Sequence, residues 1–231
     1  MAIQPENRKT YSAVIPVKKN SSRLPGKNIL PFGESNLLIN KINQLKGIDG
    51  IEEIIVSSDS DEMLNMAIKE GVKVDKRPDS LADESRPLSE FFDYIINKIK
   101  SEHLLWACCT SPLFTRENFL DCISIWNKID VAKYDSLITV YKWKHYMLDK
   151  EGPMNYKLGK NHQNSQDLPT YDLFTNGCLI ASKDDVKKWS YNYGPNAFRY
   201  EVSQSASVDI DTLEDYHIAI SLYKLLQNNN K

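Results

Sequence analysis

Short apolar runs alternate along the chain with stretches in which apolar residues recur at helical spacing. The runs at 11–17 and 104–108 predict buried strands. Leu37–Leu45 carries apolar residues every three to four positions, which predicts a helix with Asn36 as its N-cap. The same patterns predict strands at 54–57, 72–74, 136–141, 177–181 and 198–202, and helices at 61–70, 88–100, about 119–126 and 212–226.

Strands that alternate with helices are typical of a doubly wound, mostly parallel α/β sheet, here as one domain spanning residues 1–231. Ligands of such sheets bind beyond the carboxyl ends of the strands, so we expect the chemistry in the loops there. The alternation lapses over residues 142–175, which are rich in Lys, Asn, Gln, Tyr and Pro. Long irregular stretches in compact domains are usually functional, and we expect this one to cover the substrate or form a subunit interface.

Composition narrows the class of protein. The 231 residues are 41% hydrophobic and 26% charged, with a net charge of −2, and no block of Lys and Arg predicts a nucleic-acid partner. We expect no membrane association, because no apolar run is long enough to span a bilayer and the first ten residues are polar. The four cysteines, Cys108, Cys109, Cys122 and Cys178, lack metal-binding spacing, which favours buried free thiols and a cytoplasmic location.

The loop after the first predicted strand concentrates positive charge. Its sequence over residues 15–28, IPVKKNSSRLPGKN, contains four cations, small hydroxyl residues such as Ser22, and Pro and Gly that fix a turn. Triphosphates are bound by such cations together with backbone amides in a concave loop. The segment has neither P-loop nor GxGxxG spacing, so composition alone favours a solvated basic turn equally well.

Two carboxylates lie in residues 208–212, VDIDT, which are predicted to end a strand and to open the last helix. Alternate residues of an extended segment point to the same side, so Asp209 and Asp211 could both face the crevice at the strand ends. Two carboxylates together with substrate phosphates suit Mg²⁺. The DxD pattern is weak, and on its own it favours the simpler interpretation in which Asp211 assists the helix start and Asp209 is solvated.

These two motifs occur in order with three others, and the set resembles the acylneuraminate cytidylyltransferases (the CMP-sialic acid synthetase family) and their relatives that activate 3-deoxy-manno-octulosonic acid. The segments are IPVKKNSSRLPGKN, KRPDSLADE, TSPLF, SQDLPTYDLFTNG and SVDIDTLEDY. The resemblance implies a Rossmann-like nucleotide-diphospho-sugar transferase fold, a small dimerisation excursion, a homodimer and Mg²⁺ as cofactor. It also implies CMP transfer from CTP to the hydroxyl of a nonulosonic or octulosonic acid, with release of pyrophosphate.

The resemblance also implies roles by motif position. The nucleotide would be bound by Lys18, Ser22, Arg23, Lys27, Asn28, Arg77, Thr110 and Ser111. Lys27 would stabilise charge at the α-phosphate, and Asp209 and Asp211 would complete the catalytic set and hold the metal. Gln166 and Asn176 would contact the sugar acid, although both could equally serve hydrogen bonds within the fold. The general base stays open between a metal-bound water and one of the two aspartates.

Departures from the family pattern fall mainly on the sugar side. Lys18 replaces the usual arginine, which keeps the charge but not a bidentate contact. The sialate branch has glutamine before PTSP, where this chain has Cys108 and Cys109, and arginine before QDLP, where it has Ser165. The sequence therefore predicts CTP use more firmly than any one acid. The alternatives are another acid acceptor such as a phosphonate, another nucleoside triphosphate, or a catalytically silent nucleotide-binding protein.

Overall fold

The computed structural model of the chain describes residues 9–229. Its strands are β1 (Tyr11–Pro16), β2 (Pro31–Phe32), β3 (Ser35–Asn36), β4 (Ile51–Ser58), β5 (Lys73–Lys76), β6 (His103–Trp106), β7 (Ser136–Trp143), β8 (Leu148–Asp149), β9 (Gly152–Pro153), β10 (Tyr171–Ser182) and β11 (Ala197–Glu201). Its α-helices are α1 (Leu37–Leu45), α2 (Asp61–Lys69), α3 (Leu88–Ile95), α4 (Arg116–Lys128), α5 (Lys183–Trp189) and α6 (Leu213–Asn229).

Seven strands form the central sheet in the order β11-β7-β10-β6-β1-β4-β5. β1 pairs in parallel with β4 and β6, β4 with β5, and β7 with β11. β10 runs antiparallel between β6 and β7. The prediction of a mostly parallel α/β sheet is therefore confirmed, with one antiparallel strand near its middle.

Helices cover both faces of this sheet, as the side chains of β1 show. Ala13 and Ile15 point into a large apolar cluster that includes residues of α1, α2, α4 and α6. Val14 points to the opposite face, into a cluster with residues of α3 and α5. Successive strand residues alternate between faces, so a strand buried on both faces is apolar throughout, which is why β1 has a continuous apolar run.

Local signals fix most helix ends, and α3 is the exception. α1 has the predicted bounds, and the side chain of Asn36 accepts a hydrogen bond from the amide of Ile39 at 2.9 Å. α2 ends before Gly71, whose φ of 72° is the left-handed conformation that closes a helix. α3 was expected to reach residue 100 but ends at Ile95. The prediction was too long because the buried Ile96 and Ile99 continue the apolar period through a turn.

The irregular stretch predicted at 142–175 is shorter in the structure. β7 continues to Trp143 and pairs there with Tyr171, the first residue of β10, so the irregular part covers residues 144–170. The start of β10 escaped the sequence pattern because Tyr171, Leu173 and Phe174 are all exposed and break the alternation of burial. None of the helices within residues 9–229 has the length and apolar character that crossing a bilayer needs.

Candidate active site

A cleft of about 430 Å³ opens where β1 and β6 end and the loops after them begin. Of the eight residues expected to bind nucleotide, seven line it: Lys18, Ser22, Arg23, Lys27, Asn28, Arg77 and Thr110. The eighth, Ser111, is buried beside the cleft rather than in its wall, and its hydroxyl has no hydrogen-bond partner among the described residues. Phe91, Trp106 and Cys108 add an apolar wall. The location agrees with the expected strand-end site.

The cationic loop meets the acidic segment at one side of this cleft. The Lys27 ammonium donates to the Ile210 carbonyl and to Asp211 Oδ1, each at 2.9 Å. Arg23 lies 2.8 Å from the same carboxylate oxygen. The Lys27 side chain is only 12% exposed, whereas that of Arg23 is 60% exposed, so solvent screens the Lys27 contact less. Lys27 and Ile210 are 183 residues apart in the sequence. The cationic loop and the acidic segment therefore form one site.

The acidic segment does not end a strand, contrary to the sequence prediction. β11 ends at Glu201, and a turn at 204–207 leads into an irregular stretch. A hydrogen bond from the Ile210 amide to the Thr110 carbonyl, at 2.8 Å, fixes the position of this stretch. Ile210 is fully buried, while Asp209 and Asp211 on either side of it are partly exposed. The side chains thus alternate as expected, because the segment is extended even without sheet pairing.

Asp209 retains a free coordination position. Its Oδ2 accepts a hydrogen bond from Asn176 Nδ2 at 2.7 Å, while its Oδ1 is buried without a partner among the described residues. No cluster of three or more His, Cys, Asp or Glu side chains that could hold a metal occurs in residues 9–229. Mg²⁺ needs only one or two carboxylates when substrate phosphates and water supply the other ligands. The Asp209–Asp211 pair fits this ion.

Arg77 forms a rigid part of the cleft wall. It is 5% exposed, its guanidinium lies 4.6 Å from the centre of the Phe91 ring, and it donates to the Val17 carbonyl at 2.5 Å. Burial lowers the pKa of Arg77, and the carboxylates of Asp59 and Asp75 oppose that shift. Its Nε has no partner among the described residues, which leaves a buried donor in the cleft wall.

Asn28 shapes the cationic loop from within. Its side-chain amide donates to the Lys18 carbonyl at 3.0 Å, and its oxygen accepts a hydrogen bond from the Cys109 thiol at 3.2 Å. Burial raises the pKa of Cys109 to about 12, so the thiol stays protonated and able to donate. The expected nucleotide contact of Asn28 remains a prediction, since both side-chain groups have partners within the protein.

A family model described as Cytidylyltransferase matches residues 12–154, more than half of the chain. The chain belongs to the cytidylyltransferase family. It is 22% identical over 235 residues to an N-acylneuraminate cytidylyltransferase of Streptococcus agalactiae, covering 94% of this chain and 55% of that protein. It is also 22% identical to a pseudaminic acid cytidylyltransferase of Campylobacter jejuni, covering 92% and 95% of the two chains. The chain thus spans about half the length of the streptococcal relative and most of the Campylobacter one.

Solved structures support the fold of this family member. A CMP:2-keto-3-deoxy-manno-octonic acid synthetase complexed with CTP superposes with a TM-score of 0.68, over 95% of this chain and 99% of the other. Their sequence identity is 12%, so this likeness concerns the fold alone. The expected nucleotidyltransferase fold is confirmed.

Glu84 is a charged residue of the cleft that the sequence did not predict. It forms an ion pair with Lys18, which also lines the cleft. Hydrogen bonds from Lys18 and Ser22 lower the pKa of Glu84 to about 2. Glu84 lies within the KRPDSLADE segment, which indicated a position near the nucleotide, but nothing in the segment indicated that Glu84 would pair with Lys18.

The two residues expected at the sugar acid have different surroundings. Asn176 lies on β10 and contacts Asp209, as described above. Gln166 lies in a short 3-10 helix (Ser165–Asp167), is exposed, and does not line the cleft. Its main-chain carbonyl accepts a hydrogen bond from Lys144 at 2.5 Å. The structure brings Asn176 to the site but not Gln166, whose contact with the sugar stays a prediction.

Proposed function

We propose that this cytidylyltransferase transfers CMP from CTP to the hydroxyl of a sugar acid and releases pyrophosphate. The observation that carries the proposal is the meeting of Lys27 with Asp211 at the edge of a cleft whose wall includes Lys18, Arg23 and Arg77. Phosphate-binding cations and metal-binding carboxylates are the two groups that nucleotidyl transfer requires, and both are present within hydrogen-bonding distance of each other.

Lys18, Arg23 and Lys27 would bind the triphosphate, and Arg77 with Phe91 would flank the base. The acceptor hydroxyl oxygen forms a bond to the α-phosphorus, the bond from that phosphorus to the bridging oxygen breaks, and pyrophosphate leaves. Lys27 would stabilise the charge that develops there. Asp209 and Asp211 would hold Mg²⁺, which when bound neutralises phosphate charge. The hydroxyl proton leaves as the new bond forms, and Asp209 is a candidate to accept it.

The names of the relatives narrow the acceptor. Those relatives are described as acting on N-acylneuraminate and pseudaminic acid, and a structural neighbour as a synthetase for an octonic acid. We propose a sugar acid of the nonulosonic or octulosonic type for this chain. The acceptor would lie beside Asn176 and Asp209, because Asn176 contacts Asp209 close to Asp211, whose carboxylate meets Lys27 at the edge of the cleft.

The assembly and location are further proposals. Leu148, Met154 and Leu158 of the 144–170 excursion are each more than half exposed, and apolar groups of this kind are usually covered by a partner. We propose a homodimer in which this excursion lies at the interface, measurable as a doubled mass in light scattering. All four cysteines are free, which is compatible with a reducing, cytoplasmic location.

The decisive experiment incubates the protein with Mg²⁺, CTP and separate sialic, legionaminic, pseudaminic and octulosonic acids, and measures pyrophosphate. Reactions with ATP, GTP or UTP serve as controls for the base. Release with CTP and one acid would support the proposal and identify the substrate. CTP binding without release would indicate another acid acceptor, such as a phosphonate. Release with a different nucleotide, or no nucleotide binding at all, would refute the assignment of CTP.

A further inference from the structure

Helix α1 carries a lysine in the middle of the core. Lys41 is 0% exposed, and its ammonium donates to the carbonyls of Ser111 at 3.0 Å and Phe114 at 3.3 Å. The rings of Phe119 and Phe114 complete its surroundings, with centroids 4.9 and 5.8 Å from the nitrogen. Burying an ammonium carries a large desolvation cost. A fully buried lysine therefore calls for a role other than stability.

The carbonyls that Lys41 contacts belong to the loop between β6 and α4. Asn40 and Gln44, on the same helix, donate to the Pro112 carbonyl of that loop at 3.3 and 2.9 Å. At its start the loop is joined to both halves of the candidate site. The Cys109 thiol bonds Asn28 of the cationic loop, and the Thr110 carbonyl accepts from the Ile210 amide between the two aspartates. α1 thus holds the segment on which the acidic pair is anchored.

The charge of Lys41 also acts toward the site. Its electrostatic neighbours are the thiols of Cys108, Cys109 and Cys178 and the carboxylate of Asp209. Asp209 is the one carboxylate in this set, and its attraction for the ammonium is the weakest effect of the four. Burial lowers the pKa of Lys41 to about 8, so the side chain is still largely charged near neutral pH.

We propose that Lys41 is a positioning residue: its buried charge and its two hydrogen bonds hold residues 110–114 against Ile210 and thereby orient Asp209 and Asp211 for nucleotidyl transfer. Lys41 touches neither the cleft nor the carboxylates, so it acts through the loop. The inference rests on the proposed function, and its test separates the failure of one from the failure of the other.

The first variant is Lys41→Met, which keeps the volume of the stem and removes the charge and both donors. Removing the charge relieves its desolvation cost, whereas leaving the Ser111 and Phe114 carbonyls without this donor costs stability, so we expect only a small change in Tm. We expect kcat to fall about tenfold or more, because small displacements of catalytic groups have effects of that order. The Kd for CTP without metal should change less than about threefold, since the cationic loop keeps its own contacts.

Lys46→Met is the matched control. It makes the same chemical change at the end of the same helix, where the lysine is half-exposed and pairs with Glu70 at 2.5 Å. We expect wild-type kcat. Amide hydrogen exchange gives a readout without turnover: exchange at Ile210 should accelerate in Lys41→Met and not in Lys46→Met, because the Thr110 carbonyl shifts.

The outcomes separate the possibilities. If wild type and Lys41→Met turn over equally and Ile210 exchanges at the same rate in both, Lys41 has no positioning role. A fall in activity that only accompanies a lower Tm, with unchanged exchange at Ile210, would also overturn the proposal. If the wild type itself is inactive, the proposed function fails, while faster exchange at Ile210 in the variant would still support the positioning role.

A measurement on the wild type covers the case in which Lys41→Met does not fold. With saturating CTP, Mg²⁺ and acceptor, kcat should decline above about pH 8 as Lys41 loses its charge. Burial raises the pKa of Cys109 to about 12 and that of Cys108 further, so these neighbouring thiols do not titrate in this range. Lys46→Met should keep the decline. A flat kcat profile through pH 9.5 would overturn the role of the charge.

Discussion

The proposed nucleotide side and the proposed acceptor side of the site are built in different ways. On the nucleotide side, Lys18, Arg23 and Lys27 come from a single loop after β1, and two of them contact Asp211. On the acceptor side, Asn176 stands on β10, whereas Gln166 lies exposed in the excursion. The comparison shows that a site made by one loop is largely specified locally, whereas a site shared between a strand and a long excursion depends on distant packing.

The largest effect should come from the nucleotide side, at Lys27. Lys27→Met removes the ammonium that contacts both Ile210 and Asp211 and that would face the α-phosphate. We expect kcat/KM for CTP to fall roughly 100- to 1,000-fold, as for the loss of one preorganised donor to a developing negative charge. The loss is measured as the rate of pyrophosphate release with the best acceptor, and the Tm of the variant checks that it is folded.

Lys19→Met is the control for Lys27. Lys19 belongs to the same loop but lies outside the lining of the cleft, and the contact it makes with Asp59 uses its main-chain amide. A surface charge of this kind should change kcat/KM by no more than about fivefold. Equal losses in both variants would mean that the loop acts only through its overall charge.

An intermediate effect should appear on the acceptor side. Asn176→Ala removes the 2.7 Å hydrogen bond that orients Asp209, and we expect kcat to fall about tenfold with a raised KM for the acid. Gln166→Ala should leave both constants within about threefold, because its side chain is exposed and its contact with Lys144 uses the main chain. A large loss of activity in Gln166→Ala with little change in Asn176→Ala would instead place the acceptor beside the 144–170 excursion.

The sequence predicted the fold well where the signals are local. The alternation of apolar runs predicted the sheet, and Asn36 with its helix was predicted to the residue. The sequence could not predict that β10 is antiparallel, because side chains alternate with a period of two in parallel and antiparallel strands alike. Its first residues also escaped, since side chains exposed on both faces, such as Leu173 and Phe174, give no alternation.

The candidate site shows the same limit at Lys41. Leu37, Leu38 and Ile42 mark the buried face of α1, and Lys41 lies on that face at helical spacing, so a signal was present. A lysine there is ordinarily expected to extend its amine to solvent. Its burial depends on the carbonyls of Ser111 and Phe114, at least 70 positions away, and those contacts exist only in the folded chain.

The smallest effect concerns Glu84, which forms an ion pair with Lys18. Glu84→Gln removes a carboxylate that competes with the triphosphate, so CTP should bind about two- to fivefold more tightly, the range expected for half-exposed ion pairs. Glu70→Gln, which removes the Lys46 pair away from the cleft, is the matched control and should leave the CTP Kd unchanged. Hydrogen bonds from Lys18 and Ser22 lower the pKa of Glu84 to about 2, below the pKa of an ordinary carboxyl. The ion pair with Lys18 is therefore fully formed above the ordinary carboxyl pKa and is lost as the pH falls toward 2. The difference between wild type and Glu84→Gln should therefore be constant from pH 5 to pH 8 and shrink with added salt. Weaker CTP binding by Glu84→Gln would mean instead that Glu84 helps to hold Lys18 in place for the phosphates.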